Sequence, residues 1–191
     1  MDDIVVKAMA KWPNVPDCYG WLGLDSRGQW LMRDEAAQRA GAFQSGAPMS
    51  KGSVLRHEKL IEFIARNYGC DETGQWSFQN GPQRVYVELE VTPHIWRVSE
   101  NYQVTSQTGA KSEVQACFED EVGRVYLVTP LGLGLVHSLD VVCVAEAVEQ
   151  KIWTVSNCLS ELLPASYGFV MSPEQAHKNS AHKKTVHKSN L

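Results

Sequence analysis

Apolar and polar residues alternate in several short stretches of the chain, which is the pattern of β-strands with one buried face. The clearest stretch is residues 83–91, where four apolar residues lie on one face and three other residues on the opposite face: Val85, Val87, Leu89 and Val91 against Tyr86, Glu88 and Glu90. We therefore expect a strand here with one face buried and the other in water. Residues 19–24 alternate in the same way, with two aromatic residues opposite two leucines.

The spacing of apolar residues changes to three and four between residues 54 and 68, as on one side of an α-helix. Ser53 can cap the start of this helix, and Gly69 stands where a glycine often ends one. A second helix is expected at about 140–150, where Asp140 can serve as the cap.

Three turns of the form D-x-x-G separate the strands. The Asp side chain can accept hydrogen bonds from backbone amides just ahead of it, and the Gly can take the positive φ that a following bulge requires. Asn-Gly is a strong hairpin signal. A calcium loop would need several more oxygen ligands, so we interpret all of these as structural turns. The residues concerned are Asp25, Gly28, Asp71, Gly74, Asn80, Gly81, Asp120 and Gly123.

These elements predict an α+β fold, in which antiparallel hairpins form one or two curved sheets and the two helices pack on them. The D-x-x-G turns lie 46 and 49 residues apart, which is compatible with repeated hairpin-bearing subdomains. We expect a globular body at residues 12–171, either undivided or made of two small subdomains at about 12–98 and 99–171.

Both ends of the chain are expected to lie outside this body. Residues 1–11 are interpreted as an N-terminal extension. Residues 172–191 are rich in His and Lys and have no apolar periodicity, which predicts a disordered basic tail.

Composition and charge narrow the classes of function. The 191 residues carry 18 Lys and Arg against 22 Asp and Glu, and this net charge of −4 argues against a nucleic-acid partner. The five Cys form no C-x-x-C pair, so neither a zinc knuckle nor a redox motif is indicated. The N-terminus has acidic residues where a signal peptide needs positive ones, and no apolar run is long enough for a membrane span. We expect a cytoplasmic protein with reduced thiols, no membrane association and no cofactor.

The hairpin end at Asn80-Gly81 carries the most distinctive polar residues of the chain. Gln79, Gln83, Arg84 and Tyr86 are expected to cluster there, as a recognition patch for a ligand or partner or as a structural network. The leading hypothesis is a non-catalytic binding or interaction module with an unknown protein or small-molecule partner. The oligomeric state stays open.

A small enzyme whose site assembles only in the fold is the alternative hypothesis. No local signature such as G-x-S-x-G is present, and the His-Glu pair at residues 57–58 has Ile61 where a zinc protease needs its second His. The hypothesis requires that the candidate side chains converge in one pocket. These candidates are His94, His137, Glu88, Ser106, Cys70 and Cys117.

Weak metal binding by the tail is a further alternative. His177, His182 and His187 stand among four lysines, and histidine-rich tracts can bind zinc, nickel or copper. Spacings of five allow chelation by a flexible chain, while the lysines oppose cation binding.

Three segments resemble an uncharacterised bacterial protein family of about this length: YGWLGLD-x-x-G-x-W near the start, D-x-x-G-x-W-x-FQNGPQRVYVELE-x-TP in the middle and YGFV-x-SP before the tail. The resemblance covers most of residues 12–173. The family has no assigned activity, so the resemblance implies no functional residues. The order D-x-x-G-x-W, helix, D-x-x-G and Val128-Thr129-Pro130 also resembles a second uncharacterised bacterial family, which implies a pleckstrin-homology-like fold.

Overall fold

The computed structural model describes the backbone of residues 2–188 and the side chains of residues 2–182. Within this range the chain forms two mixed β-sheets and six α-helices, an α+β fold. The helices are α1 (Asp3–Lys11), α2 (Glu35–Ala40), α3 (Glu58–Asn67), α4 (Val141–Glu149), α5 (Leu163–Tyr167) and α6 (Pro173–Lys188). The strands are β1 (Cys18–Leu24), β2 (Trp30–Met32), β3 (Ser53–Val54), β4 (Tyr68–Cys70), β5 (Trp76–Asn80), β6 (Gln83–Leu89), β7 (His94–Val98), β8 (Val104–Ser106), β9 (Lys111–Ser112), β10 (Ala116–Glu119), β11 (Val125–Thr129), β12 (Gly132–Val136) and β13 (Val155–Asn157).

The two sheets repeat one arrangement of six strands. The first has the order β3-β2-β1-β6-β5-β4, and the second the order β9-β8-β7-β12-β11-β10-β13. In each set of six, the first strand pairs in parallel with the sixth, and the other neighbours are antiparallel. The turns at Asp71 and Asp120 therefore occupy equivalent places, between the fourth and fifth strands of their sets.

Parallel pairing is the main departure from the predicted antiparallel hairpins. β1 pairs with β6, β7 with β12 and β10 with β13 in parallel. The β1–β6 pair joins strands more than 60 residues apart, as when Cys18 lies opposite Val85. Parallel neighbours need a long crossover, so the alternation within one strand cannot reveal them. β7, which begins at His94, belongs to the second sheet.

The two sheets share a hydrophobic core. α3 contributes Ile64 to this core, and α5 contributes Leu163. The other face of the second sheet packs against Val144 of α4. Core residues from the first sheet include Leu22, Leu24, Val85, Val87 and Leu89, and those from the second include Ile95, Tyr126, Leu133 and Leu135.

The two predicted helices are present, with one change of boundary. α3 begins at Glu58 rather than near residue 54, because His57 and not Ser53 caps it and accepts a hydrogen bond from the amide of Leu60. Ser53 instead lies in the edge strand β3. α4 follows Asp140, where the second helix is expected.

Part of the outer face of the first sheet is buried, contrary to the prediction that it lies in water. Tyr86 is 4% exposed and Glu88 is 0% exposed. Helix α6 packs against this face, where the sequence predicts a disordered tail. Ser172 Oγ donates to Glu88 Oε2 (2.5 Å), and the amide of Glu174 donates to Glu88 Oε1 (2.9 Å). The predicted tail also includes residues 189–191, which lie outside the described residues.

Both ends of the described chain pack onto the body. Val5 of α1 is 1% exposed, and the amide of Asp2 donates to Asn67 Oδ1 (2.9 Å), so the expected extension is a packed helix. At the other end, Glu174 of α6 lies 3.4 Å from the buried guanidinium of Arg33. Among residues 2–188, none of the helices combines the length and apolar character needed to cross a membrane.

Candidate binding site

The β5–β6 hairpin brings most of the predicted patch to one face of the first sheet. Gln79 lies opposite Arg84, and Ser77 opposite Tyr86, in the antiparallel register. Directly opposite residues project to the same side of a sheet, so these four side chains share the outer face. The turn between the strands contains Gly81, whose φ is 57°.

Gln83 is the patch residue that the structure separates from the others. Alternation along β6 places it on the face of Val85, which belongs to the core. Its Nε2 donates to the carbonyl of Pro16 (3.0 Å), so it ties the entry segment to the hairpin.

Asp71, from the turn before β5, joins the patch. Its Oδ1 accepts hydrogen bonds from the amides of Thr73 (2.9 Å) and Gln75 (3.1 Å). Its Oδ2 accepts from the hydroxyl of Tyr86 (3.0 Å) and lies 3.9 Å from Arg84 Nη1. Arg84 Nη1 also donates to the Tyr86 hydroxyl (3.3 Å), which closes a three-residue network.

The network holds opposite charges. Partial burial acts to raise the pKa of Asp71, but hydrogen bonds from Thr73, Gln75 and Tyr86 outweigh it, and the pKa is lowered from its ordinary value. The hydrogen bond to Tyr86 is the largest cause that raises the pKa of Arg84. Asp71 is therefore a carboxylate and Arg84 a guanidinium at neutral pH.

Two aromatic rings extend this network from Tyr86 towards α6. The ring of Tyr19 stacks on that of Tyr86 with centroids 4.5 Å apart, and on His177 at 4.3 Å. Burial, and then the proximity of Tyr86 and Asp17, raises the pKa of Tyr19, so its hydroxyl stays protonated. Helix α6 thus contacts Tyr19, which in turn stacks on the Tyr86 ring of the hairpin network.

Two cavities meet at this hairpin, and we call them together the Arg84 cleft. The smaller, of about 120 Å³, lies beside Asp71, and the larger, of about 310 Å³, lies beside Trp12 and Asp17. Gln79 and Arg84 line both of them. The cleft therefore offers a guanidinium, a primary amide and an indole within one concave surface.

The three D-x-x-G turns have one geometry. In each, Asp Oδ1 accepts hydrogen bonds from the amides two and four residues ahead. The closing glycines, Gly28, Gly74 and Gly123, have φ values of 76°, 80° and 81°. The turns at Asp25 and Asp120 thus have the same backbone conformation as the turn at Asp71. The turn at Asp71 also borders the Arg84 cleft.

The tail histidines lie on a helix rather than on a flexible chain. His177 stacks on Tyr19, and His182 is exposed, while the side chain of His187 lies outside the described residues. Residues five apart on a helix are rotated by about 140° around its axis, so their side chains diverge. Among the described side chains, no group of three or more His, Cys, Asp and Glu could hold a metal ion.

The candidate catalytic residues lie in separate environments. His94 stacks on Trp96 in β7, and its Nε2 bonds to the carbonyl of Leu131 (2.9 Å). His137 accepts from the amide of Leu139. Glu88 is bound to α6, as described above.

The remaining candidates are also dispersed. Cys117 is buried in the core under α4, where burial raises its pKa to about 11. Ser106 bonds to Thr108 at the end of β8. Cys70 is exposed and borders the smaller cavity of the Arg84 cleft.

Sequence reasoning missed two parts of this region. The sequence marks Asp71 only as a turn residue, because its contact with Tyr86 depends on the order of strands in the sheet. The packing of α6 was also missed, although Ser172-Pro173-Glu174 is a helix-start signal, with a capping Ser and Pro in the first turn.

Comparisons with known proteins identify a family and give no activity. No curated protein matches the chain significantly. The 1.40 Å crystal structure of a DUF1285 family protein from Shewanella baltica OS155 is similar over 66% of this chain and 91% of that chain, with 13% identity and a TM-score of 0.44. A family model matches residues 1–189. The chain belongs to this family, which is described as a protein of unknown function (DUF2946).

Proposed function

We propose that the protein is a non-catalytic binding module and that the Arg84 cleft is its ligand site. The observation that carries this proposal is the meeting of two cavities at one arginine. Arg84 is 37% exposed, and its nearest carboxylate oxygen, on Asp71, is 3.9 Å away. A guanidinium has five N–H donors, and the described residues engage few of those on Arg84, so donors remain for a ligand.

The lining suggests the chemistry of the ligand. Arg84 favours an acceptor group such as a carboxylate or a peptide carbonyl. Nε2 of Gln79 donates to the carbonyl of Gly81 (3.1 Å) and has a second N–H that could serve the same acceptor. Trp12 is 50% exposed at the wall of the larger cavity and offers an apolar surface. Asp17 opposes a second negative charge. A small amino-acid-like or peptide-like molecule with one acceptor group and one apolar group meets all three conditions.

The location of the candidate catalytic residues supports binding rather than catalysis. An assembled active site requires an acid or base within hydrogen-bond reach of its partner. Glu88, His94 and His137 each bond to structural groups of different elements. We also propose a cytoplasmic location, which is supported by five cysteines that are all unpaired.

Ligand-observed NMR with a panel of free amino acids and N-acetyl amino acids tests the proposal. We expect at least one member of the panel to bind the full chain and to lose most of its affinity in Arg84→Gln. Arg124→Gln is the matched control, since Arg124 also lies beside the Asp and Tyr of a D-x-x-G turn. Equal affinities of the two variants, or no binding by any member of the panel, would contradict the proposal.

A further inference from the structure

Strand β13 forms an open edge of the second sheet. It pairs with β10 on one side and is the outermost strand of its sheet in the described chain. Residues 152–160, which we call the edge segment, contain no charged residue. Natural edge strands are usually protected from pairing by charged residues, prolines or bulges, so this segment lacks the most common protection.

The backbone of the edge segment has hydrogen-bonding groups that face outward. The amide of Cys158 donates to the carbonyl of Glu119 in β10 (2.9 Å). Backbone groups of successive strand residues point to opposite sides, so those of Val155 and Asn157 point away from β10. No described residue accepts from these two amides. The edge is therefore ready to pair with another strand.

We propose that two copies of this chain pair antiparallel through β13 about a two-fold axis at Ser156. In this register Val155 of one copy lies opposite Asn157 of the second copy, and the outward backbone groups of both residues bond to each other. The axis passes between the two copies of Ser156, whose side chain is exposed in the single chain. An interface of this kind is self-complementary, as a two-fold dimer requires.

Charge favours a second copy as the occupant. The first charged residues beyond the edge segment are Lys151 on one side and Glu161 on the other, each five residues from Ser156. Both are exposed. The two-fold axis places Lys151 of each copy at the same end as Glu161 of the other, so each end of the pairing carries opposite charges.

Exposed apolar side chains beside β13 are also consistent with the two-fold dimer. Ile152 is 50% exposed. The axis places Ile152 of each copy at the same end of the pairing as Ser160 of the second copy. Next to that position lies an apolar cavity of about 430 Å³, lined in part by Leu159, Leu162 and Tyr167. Dimerisation would cover these exposed side chains.

Other edges of the sheets have features that oppose the same pairing. β9 carries Lys111, and β4 is followed by Asp71. β3 has only two residues, Ser53 and Val54, and follows Lys51, which pairs with Glu90. The open, uncharged edge at β13 is thus the one that suits a second copy.

Sedimentation velocity of the full chain over a range of concentrations tests the proposal. We expect a monomer–dimer equilibrium. Ser156→Lys places two lysines against each other at the axis and should raise the dimer Kd at least about tenfold, a change that corresponds to ~1.4 kcal/mol. Ser53→Lys makes the same change on the exposed edge strand β3 and should leave the Kd unchanged. Matching thermal unfolding curves would verify that both variants fold.

Charge reversal tests the register. Lys151→Glu and Glu161→Lys should each weaken the dimer, and the double variant should restore it, because the reversed charges again meet across the axis. A chain that stays monomeric at every concentration would overturn the proposal and leave the edge to another partner, such as an extended peptide. A dimer that withstands Ser156→Lys, or a double variant without restored affinity, would also overturn it.

Discussion

The turn at Asp71 and the turn at Asp120 show how one local structure acquires two roles. Both join the fourth and fifth strands of equivalent sheets, and both bind a Tyr hydroxyl through Asp Oδ2. At Asp120 the Tyr and the Arg come from the same hairpin, Tyr126 and Arg124, and the carboxylate is 0% exposed. At Asp71 they come from β6, and the carboxylate is 17% exposed.

This difference explains why the cleft lies in the first sheet. Around Asp120, residues that are near in sequence supply all the hydrogen bonds to the carboxylate in the described part of the chain. The network around Asp71 spans two strand connections and leaves Arg84 at a concave surface. Four measurements test the difference between the two sheets.

Replacing the closing glycine should have the largest effect. A Cβ on Gly74 would lie 2.3 Å from the carbonyl oxygen of Gly168, whereas the nearest atom to a Cβ on Gly123 is 3.8 Å away. Both residues have positive φ. We expect Gly74→Val to lower the free energy of unfolding by roughly 3 kcal/mol or more, because the side chain would clash as well as strain the backbone. Gly123→Val should lower it by about 1–2 kcal/mol, because only the backbone would be strained. Urea denaturation measures both losses. Equal losses would show that the close approach of Gly74 to the carbonyl of Gly168 does not affect stability.

The second sheet should be the more sensitive to acid. Burial lowers the pKa of His94 from 6.5 to about 4. Between these values the unfolded chain binds a proton that the folded chain does not, so stability falls as pH drops from about 6.5 to about 4 and levels off below. The full effect is up to about 3 kcal/mol.

His94→Gln isolates the contribution of His94 to the pH dependence of stability, because the Gln side chain does not titrate. The difference in unfolding free energy between the two proteins should depend on pH in that window and be constant above pH 7. A constant difference throughout would mean that His94 is not the acid-sensitive group.

Replacing the turn carboxylate should lower the free energy of unfolding more at Asp120 than at Asp71. Asp120→Asn leaves a fully buried group with weakened bonds, and we expect a loss of about 2 kcal/mol. Asp71→Asn should lose about 1 kcal/mol, because its carboxylate is partly solvated. Chemical denaturation at pH 7 compares them, and the reverse order would contradict the distinction between the two networks.

The smallest effect is expected for the tyrosine hydroxyls. Tyr126→Phe and Tyr86→Phe should each cost about 1 kcal/mol, the net value of one hydrogen bond. Only the second should also weaken binding at the Arg84 cleft, since Tyr86 positions Arg84. The NMR titration used for Arg84→Gln provides the measurement, and a weaker affinity in Tyr126→Phe would contradict a site confined to the first sheet.

Local features of the fold could be predicted from the sequence. Asp-x-x-Gly, Asn-Gly and the helical spacing of Leu60, Ile61 and Ile64 act over a few residues, so their chemistry is visible in a short window. The strand at residues 83–91 was predicted for the same reason, although β6 ends at Leu89. Arg84 and Tyr86 are expected in the candidate site because they lie near the hairpin end at Asn80-Gly81.

Contacts between distant segments could not be predicted. The parallel pairs β1–β6 and β7–β12 have no turn signal to mark them. The prediction that Glu88 faces water was wrong, because Ser172 and the start of α6 cover it. These contacts are polar, so they leave no apolar periodicity in the sequence of the helix. The likeness to a pleckstrin-homology fold stays a prediction.

The contacts of residues 168–174 have a consequence for synthesis of the chain on the ribosome. The amide of Val170 bonds to the carbonyl of Gly74, the amide of Leu89 bonds to Met171, and Ser172 bonds to Glu88. All of these partners for the first sheet emerge after every strand of the second. Until then Glu88 lacks the hydrogen bonds from Ser172 and Glu174, and Arg33 lacks the carboxylate of Glu174. The half of the protein that is made first is therefore expected to finish folding last.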